Sequence, residues 1–332
     1  MIKENYSGIW IFAEQRGGVL SSTAFELIAK AQELKAHNGE DITAILLGND
    51  IRPLANELIS RGADKVIIAE HENLSEYSAR PYQRALTQLA QKYMPSIILY
   101  SATSLGRDLA PRMMVSLKTG LTADAIDLGY DEDEVFYQTT PAYGGKILAH
   151  IVILEKRPQM ATVRPNMFTP LAADPSRKGE IIKEAVIVDT DEEYKVLSVT
   201  AKDTSSIAID QADLLVSGGR GIKSEDDFAV LGELAQLLDG QLAASRPPVD
   251  QGWLPHEQQI GQSGTTVKPA CIINVGISGS VQYQVGMQNS GCIISINHNP
   301  AAPIFNISKY GVNGDYRSII PAIIAEIKKR NK

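Results

Sequence analysis

The chain has 332 residues, of which 44% are hydrophobic and 21% charged, enough for about two ordinary domains. That composition excludes a mainly disordered chain, a collagen-like repeat and a disulfide-stapled miniprotein. A net charge of −7 and an aromatic content of 6% argue against nucleic acid as the main partner, since neither a basic tract nor stacking platforms are on offer.

Gly8 to Ala13 reads as a buried strand, and Ser22 to His37 as a helix stopped by Asn38-Gly39. Strand Ile42 to Leu47, helix Arg52 to Arg61, strand Lys65 to Ala69, helix Ala79 to Tyr93 and strand Ser96 to Tyr100 come next. Strands that are apolar throughout and alternate with helices predict a parallel sheet covered on both faces. From Leu121 the pattern changes. The segment Thr139-Thr140-Pro141-Ala142-Tyr143-Gly144-Gly145 separates runs Val135 to Gln138 and Lys146 to Leu154, which predicts an antiparallel extension. Pro158, Pro165, Pro170 and Pro175 are expected to break regular structure, and Ala185 to Val188 to form a short strand. A domain boundary is placed between Thr200 and Ser206, dividing the chain into 1–203 and 204–332.

The second half repeats the α/β pattern. Strand Asp213 to Val216, helix Ser224 to Leu238, strand Gln241 to Ala244, strand Ala270 to Val275, a short helix from Ser280, strand Cys292 to Asn297 and a C-terminal helix ending at Lys328-Lys329-Arg330 are expected. Cys271 and Cys292 lie in apolar runs with no metal-type spacing, and read as two buried reduced thiols of a cytoplasmic protein. The five histidines show no zinc spacing, so no metal is expected. No apolar run is long enough for a transmembrane helix.

The chemistry concentrates at strand-to-helix turns of the second half. Val216-Ser217-Gly218-Gly219-Arg220-Gly221-Ile222 offers close backbone approach, free N–H groups and a cation, a combination suited to an anionic ligand. The turn Gly276-Ile277-Ser278-Gly279-Ser280 resembles a nucleophile elbow but ends in Ser rather than Gly. It reads as a phosphate cradle rather than a hydrolase site. Ala244-Ser245-Arg246, Ile260-Gly261-Gln262-Ser263-Gly264 and Ile296-Asn297-His298-Asn299-Pro300 stand at further strand ends or turns. In an open parallel sheet such ends converge on one crevice, so an elongated, nucleotide-like ligand is expected.

Taken in order, these segments, with Ala302-Pro303-Ile304-Phe305, Tyr310-Gly311 and Gly314-Asp315, closely resemble the alpha-subunit family of the electron transfer flavoproteins. Weaker matches extend through Gly120 to Asp124 and Thr139 to Gly145, so the likeness spans nearly the whole chain. The resemblance implies an α/β fold of two domains. One is an N-terminal Rossmann-like parallel sheet with an antiparallel extension, serving as a scaffold against a beta subunit. The other is a C-terminal parallel α/β domain that binds FAD.

By position, the resemblance puts Arg220 near the flavin ring and Ser245 and Ser263 around it, with Ile260, Gly261 and Gln262 beside Ser263. Ser278, Gly279, Ser280, Val281 and Gln282 would hold the pyrophosphate, Asn297 and Asp315 would reach toward the adenosine half, and Tyr316 would also bind the cofactor. Arg220 would raise the flavin's potential and favour its anionic half-reduced form. Tyr283 stands where many relatives carry a His thought to contact the flavin C2 carbonyl. A phenol can donate one hydrogen bond there but adds no charge. Ser263 replaces a common Thr.

The resemblance further implies a bacterial, cytoplasmic electron carrier working with a beta subunit and an acyl-CoA dehydrogenase-type flavoenzyme. The favoured mode is bifurcation of electrons from NADH toward ferredoxin and an enoyl-CoA-type acceptor. The alternative mode is a one-electron shuttle from acyl-CoA dehydrogenases of fatty acid β-oxidation to a respiratory chain. Two other classes remain open: a free-standing NAD-using enzyme, and an AMP sensor built on the first domain. For the sensor, Glu14-Gln15-Arg16-Gly17-Gly18 is the candidate phosphate loop.

Overall fold

The structure, a computed structural model, describes residues 5–142, 147–189, 194, 196–199 and 208–330. The expected boundary between Thr200 and Ser206 lies outside the described residues, as do Tyr143, Gly144, Gly145 and Lys146. The chain falls into two compact units, Met1–Val199 and Thr200–Lys332.

The first unit begins with β1 (Ile9–Phe12), the short hairpin β2 (Gln15–Arg16) and β3 (Val19–Leu20), then α1 (Ser22–Asn38) and β4 (Ile42–Gly48). It continues through α2 (Ala55–Ser60), β5 (Lys65–Glu70), α3 (Ala79–Tyr93), β6 (Ile97–Ser101) and α4 (Ser104–Leu117). Next come β7 (Leu121–Ala125), β8 (Asp127–Tyr130), β9 (Phe136–Ala142), β10 (Ile147–Val152), β11 (Gln159–Val163) and β12 (Glu180–Glu184). Seven strands form one parallel sheet in the order β12-β5-β4-β1-β6-β11-β7. Alternate side chains of its strands feed two cores. Ile9 and Ile11 face α1 and α2, with Phe25, Ile28 and Leu58. Trp10 and Phe12 face α3 and α4, with Tyr82, Leu86, Leu109 and Met113. Such two-sided burial accounts for the unbroken apolar runs. The antiparallel extension is a separate three-stranded sheet, β10-β9-β8.

Three local expectations differ from the structure. Pro158 does not break the chain at its place: β11, fully buried, starts one residue later between β6 and β7. A proline just before a strand removes no ladder donor from it. The edge strand lies at Glu180–Glu184 rather than Ala185–Val188, because its partner β5 ends at Glu70. Beyond that point Gln88 bonds the backbone N–H and C=O of Ile187, and Asn73 bonds the carbonyl of Val188. The helix α4 lies where the sequence reading places none. Its N-cap Thr103 accepts from the N–H of Gly106 and donates to the buried carboxylate of Glu14.

Arg164, 5% exposed, is paired with Asp124, whose carboxylate also meets Arg107 at 3.1 Å. Burial would raise the Asp124 carboxyl, yet Arg164 and Arg107 hold it below its ordinary value. Its stabilisation is therefore complete above the unfolded carboxyl pKa and is lost as pH falls through the lowered folded value. Asp124→Asn should cost about 2 kcal/mol at pH 7, less than the ~3–5 of a fully buried broken pair because Asp124 is partly exposed. Urea unfolding should show that difference shrinking at pH 3; an equal difference at both pH values would contradict the pairing.

The second unit holds β13 (Leu214–Gly218), α5 (Glu225–Leu237), β14 (Gln241–Ala244), α6 (Arg246–Asp250) and β15 (Cys271–Val275). The elements α7 (Val281–Gln284), β16 (Ile293–Asn297), β17 (Tyr310–Asn313) and α8 (Tyr316–Arg330) complete it. Five strands make a second parallel sheet, β14-β13-β15-β16-β17. α5 and α8 cover one face with Phe228, Leu231, Ile320 and Ile324. On the other face, irregular segments and α7 contribute Ile260, Ile277, Tyr283, Met287 and Ile304. Cys271 and Cys292 are half-buried rather than buried, because they stand just at the amino-terminal ends of β15 and β16, where the core stops. Burial and the adjacent Cys292 push the Cys271 thiol up. No helix among the described residues is long and apolar enough to cross a membrane.

Candidate functional site

A cleft of about 620 Å³ opens at the carboxyl ends of β13, β14, β15 and β16. Two Gly-rich turns build its floor. The N–H of Gly219 bonds the carbonyl of Val275, and that of Gly221 the carbonyl of Gly276, both at 2.9 Å. A Cβ on Gly221 would lie 2.7 Å from the Gly276 oxygen, so only a glycine lets the turns meet. This contact brings Arg220 beside the turn that carries Ser278 and Ser280. Ser224 caps α5 behind the first turn, accepting from the N–H of Asp227.

The donors then accumulate along one wall. Among the described residues, no acceptor meets the backbone N–H groups of Ser278, Gly279, Ser280, Val281 and Gln282. Arg220 is exposed and has no carboxylate partner among the described residues, whereas the neighbouring Arg246 is paired with Asp250 at 3.2 Å. Ser245 holds the N-cap position of α6 without spending its hydroxyl on the cap. Gln282 and Gln262 join two loops, the carbonyl of the first accepting from the N–H of the second at 2.8 Å. Ser263 accepts from Gln259 at 3.1 Å. A run of free N–H groups, an unpaired guanidinium and loose hydroxyls in one cleft fit a phosphate-bearing ligand with a polar ring.

Most of the residues marked from sequence line this cleft: Arg220, Ser245, Ile260, Gly261, Gln262 and Ser263 on one side, Ser278, Ser280, Gln282, Tyr283 and Asn297 on the other. Gly279 and Val281, also marked from sequence, lie between them in the chain and are not in the lining. Asp315 and Tyr316 are not in the lining. Asp315 accepts from the N–H of Arg317 at the start of α8, and the Tyr316 hydroxyl donates to Asp227 and accepts from the N–H of Lys223. Asn297 lines the cleft with its amide already committed, donating to Ile277 and accepting from Asn299.

Tyr283 also departs from expectation. It is 4% exposed, and its hydroxyl lies inside the unit, 2.6 Å from Asn274 Oδ1 and 2.9 Å from Ser217 Oγ. The single phenolic proton expected to face a ligand goes to Asn274 instead. Burial pushes this phenol well above its ordinary pKa.

Lys223 lines the cleft although the sequence reading does not single it out, and Arg246, His298 and Asn299 line it from the polar strand-end segments that the sequence marks, without individual roles there. Arg246 stands directly after Ser245 at the end of β14, so the topological argument that marks Ser245 covers it too.

In the first unit, Gly17 and Gly18 form the tip of the β2–β3 hairpin at φ +56° and +78°. Gln15 Nε2 donates to the Leu47 carbonyl, and Gln15 Oε1 accepts from Gly18. That turn is a hairpin, not a phosphate loop. Among the described residues, no group of His, Cys, Asp and Glu gathers to hold a metal.

Comparison with known proteins agrees with both units. Residues 9–189 match the electron transfer flavoprotein domain, and residues 208–288 the electron transfer flavoprotein FAD-binding domain. The chain is 45% identical over 326 residues to the electron transfer flavoprotein subunit alpha of Thermoanaerobacterium thermosaccharolyticum, covering 98% of this chain and 99% of that one. It is 42% identical to the corresponding subunit of Megasphaera elsdenii, covering 98% and 97%. It is 39% identical to subunit LctC of the lactate dehydrogenase (NAD(+),ferredoxin) of Acetobacterium woodii, covering 98% and 78%.

Proposed function

The chain belongs to the electron transfer flavoprotein alpha-subunit family, and from that premise we propose that it carries electrons on an FAD held in the cleft of its second unit. The observation that carries this reading is Arg220, with no carboxylate partner among the described residues, in the same cleft as Ser278, Ser280 and Gln282, whose N–H run meets no acceptor among the described residues. FAD supplies the one- and two-electron chemistry that the side chains of this chain lack. The N–H run would hold the pyrophosphate, as free backbone donors do at nucleotide sites. Arg220, Ser245 and Ser263 would orient the ring, with the Arg220 charge set where negative charge grows on reduction. Ile260 and Gly261 would close the wall behind it. Asn297 would act indirectly, pinning the Ile277 carbonyl.

The working assembly is a heterodimer with a beta subunit, served by an acyl-CoA dehydrogenase-type flavoenzyme. The finer reading is electron bifurcation from NADH toward ferredoxin and an enoyl-CoA-type acceptor. It is supported by the similarity, over 98% of this chain, to a subunit whose name joins lactate, NAD(+) and ferredoxin. The one-electron shuttle is the alternative.

Co-expression with the neighbouring beta-type subunit, and then extraction and counting of nucleotides, tests the reading. Two FAD per heterodimer, one of them reduced by NADH, is the expected result for bifurcation. One FAD and one AMP would move the protein to the shuttle class. A flavin-free heterodimer would overturn the assignment of the cleft.

A further inference from the structure

Beneath the cleft, three polar residues lie side by side across the middle of the sheet. Ser217 on β13 pairs in register with Asn274 on β15, which pairs in register with Ser295 on β16. All three are at most 1% exposed. Tyr283 reaches this row from α7, and Ser308 reaches it from the far side.

The hydrogen-bond directions can be assigned. The Ile304 carbonyl, 2.8 Å from Ser308 Oγ, can only accept, so the Ser308 proton goes there. Ser308 Oγ also lies 2.7 Å from Ser295 Oγ, and Asn274 Nδ2 donates to Ser295 at 3.4 Å. That orientation leaves Asn274 Oδ1 for the phenol of Tyr283, at 2.6 Å. Ser217 Oγ lies 2.9 Å from the phenol oxygen, the second contact of the hydroxyl. The phenol has one proton, and it is used. An amide stands in the middle of the row, so the row does not relay protons by hydroxyl hopping. Its action is mechanical.

Three parts of the cleft meet at this phenol. Ser217 stands three residues before Arg220 on the first Gly-rich turn. The N–H run Ser278–Gln282 extends into the first two residues of α7. The Gln282 carbonyl, next to Tyr283, holds the N–H of Gln262 and with it the loop of Ser263.

We infer that Tyr283 is a positioning residue of the cleft: its phenol braces α7 against Ser217 and Asn274, and it gives no hydrogen bond to the bound ligand. This rests on the reading of the cleft as the FAD site. The brace depends on the side chain this protein carries, and a His at the same position would be too short to repeat both contacts of the phenol.

The test uses the full chain with its beta subunit, as wild type, Tyr283→Phe, Ser217→Ala and the double variant. Removing a buried hydrogen-bond partner costs enough to weaken FAD binding by about tenfold in Tyr283→Phe. The unfolding midpoint of the flavin-free protein should fall as well. The midpoint potential of the flavin that remains bound should be unchanged, because the phenol does not touch it. The two substitutions remove one shared contact, so the double variant should lose less than the sum. A shifted potential with unchanged FAD affinity would overturn the inference, as would unaltered affinity and unfolding. Should Tyr283→Phe fail to fold, Ser217→Ala deletes only the Ser217 contact of the phenol and is read the same way. A flavin-free wild type would remove the reading of the cleft but not the brace, which the unfolding midpoints would then decide.

Discussion

Arg220→Gln should bind FAD about 10- to 100-fold more weakly than the wild type, the loss expected when one charge-assisted hydrogen bond to an anion is removed. Arg220 is the cation of the first Gly-rich turn, and no carboxylate among the described residues neutralises it. Its charge is therefore available to a ligand. Two further quantities should move with the affinity. The salt dependence of binding should flatten, because a screened attraction has been deleted. The midpoint potential of the remaining flavin should fall, because a fixed positive charge favours the reduced, more anionic ring. Fluorescence titration at two salt concentrations and a redox titration are sufficient. Unchanged affinity and potential together would sink the assignment of Arg220 to the flavin.

Gly279→Ala should cost about 3 kcal/mol and abolish retention of the flavin through purification, combining left-handed strain of about 1–2 with overpacking of similar size. Gly279 has φ +82°, and a Cβ there would lie 2.4 Å from the backbone nitrogen of Ile304 and 2.6 Å from its Cα. Backbone cannot swing aside as a long side chain does. The turn would have to open, taking the N–H groups of Ser278 and Ser280 with it. Gly252 supplies the control, since it has φ +78° but nothing within 4 Å of the same Cβ position. Gly252→Ala should therefore lose only the strain, about 1 kcal/mol, and keep its flavin. Equal unfolding midpoints for the two variants would show that contact with Ile304 does not shape the turn.

Much of the architecture is legible in the sequence because burial on both faces leaves a plain signature. β4, β5 and β6 are continuous apolar runs, and the helix Ala79–Tyr93 carries its core residues at helical spacing. β11 is hidden because its neighbours in sequence are prolines, while the strands that stabilise it, β6 and β7, lie at least 34 residues away. The same holds for β17, whose four residues are all exposed and which is a strand only because β16 offers an edge. Local composition carries no mark of a partner supplied from a distance.

The site divides in the same way. Glycine spacing, the cation in the first turn and the order of the polar turns are properties of the chain itself, and they locate the cleft and the family. Hydrogen-bond direction is not. From sequence, Tyr283 reads as a donor to a ligand, and Asp315 and Tyr316 as its neighbours. In the fold, Asn274 takes the phenolic proton of Tyr283, Asp227 takes that of Tyr316, and the Asp315 carboxylate accepts from the backbone N–H of Arg317 in α8. A side chain's chemistry is written in its own identity, but where its proton goes depends on which acceptors the rest of the chain brings within 3 Å. By itself the sequence determined two α/β halves, the Gly-rich polar turns at the strand ends of the second and membership of an electron-carrier family. Only the tertiary structure decided which polar groups are free for a ligand and which are spent inside the protein.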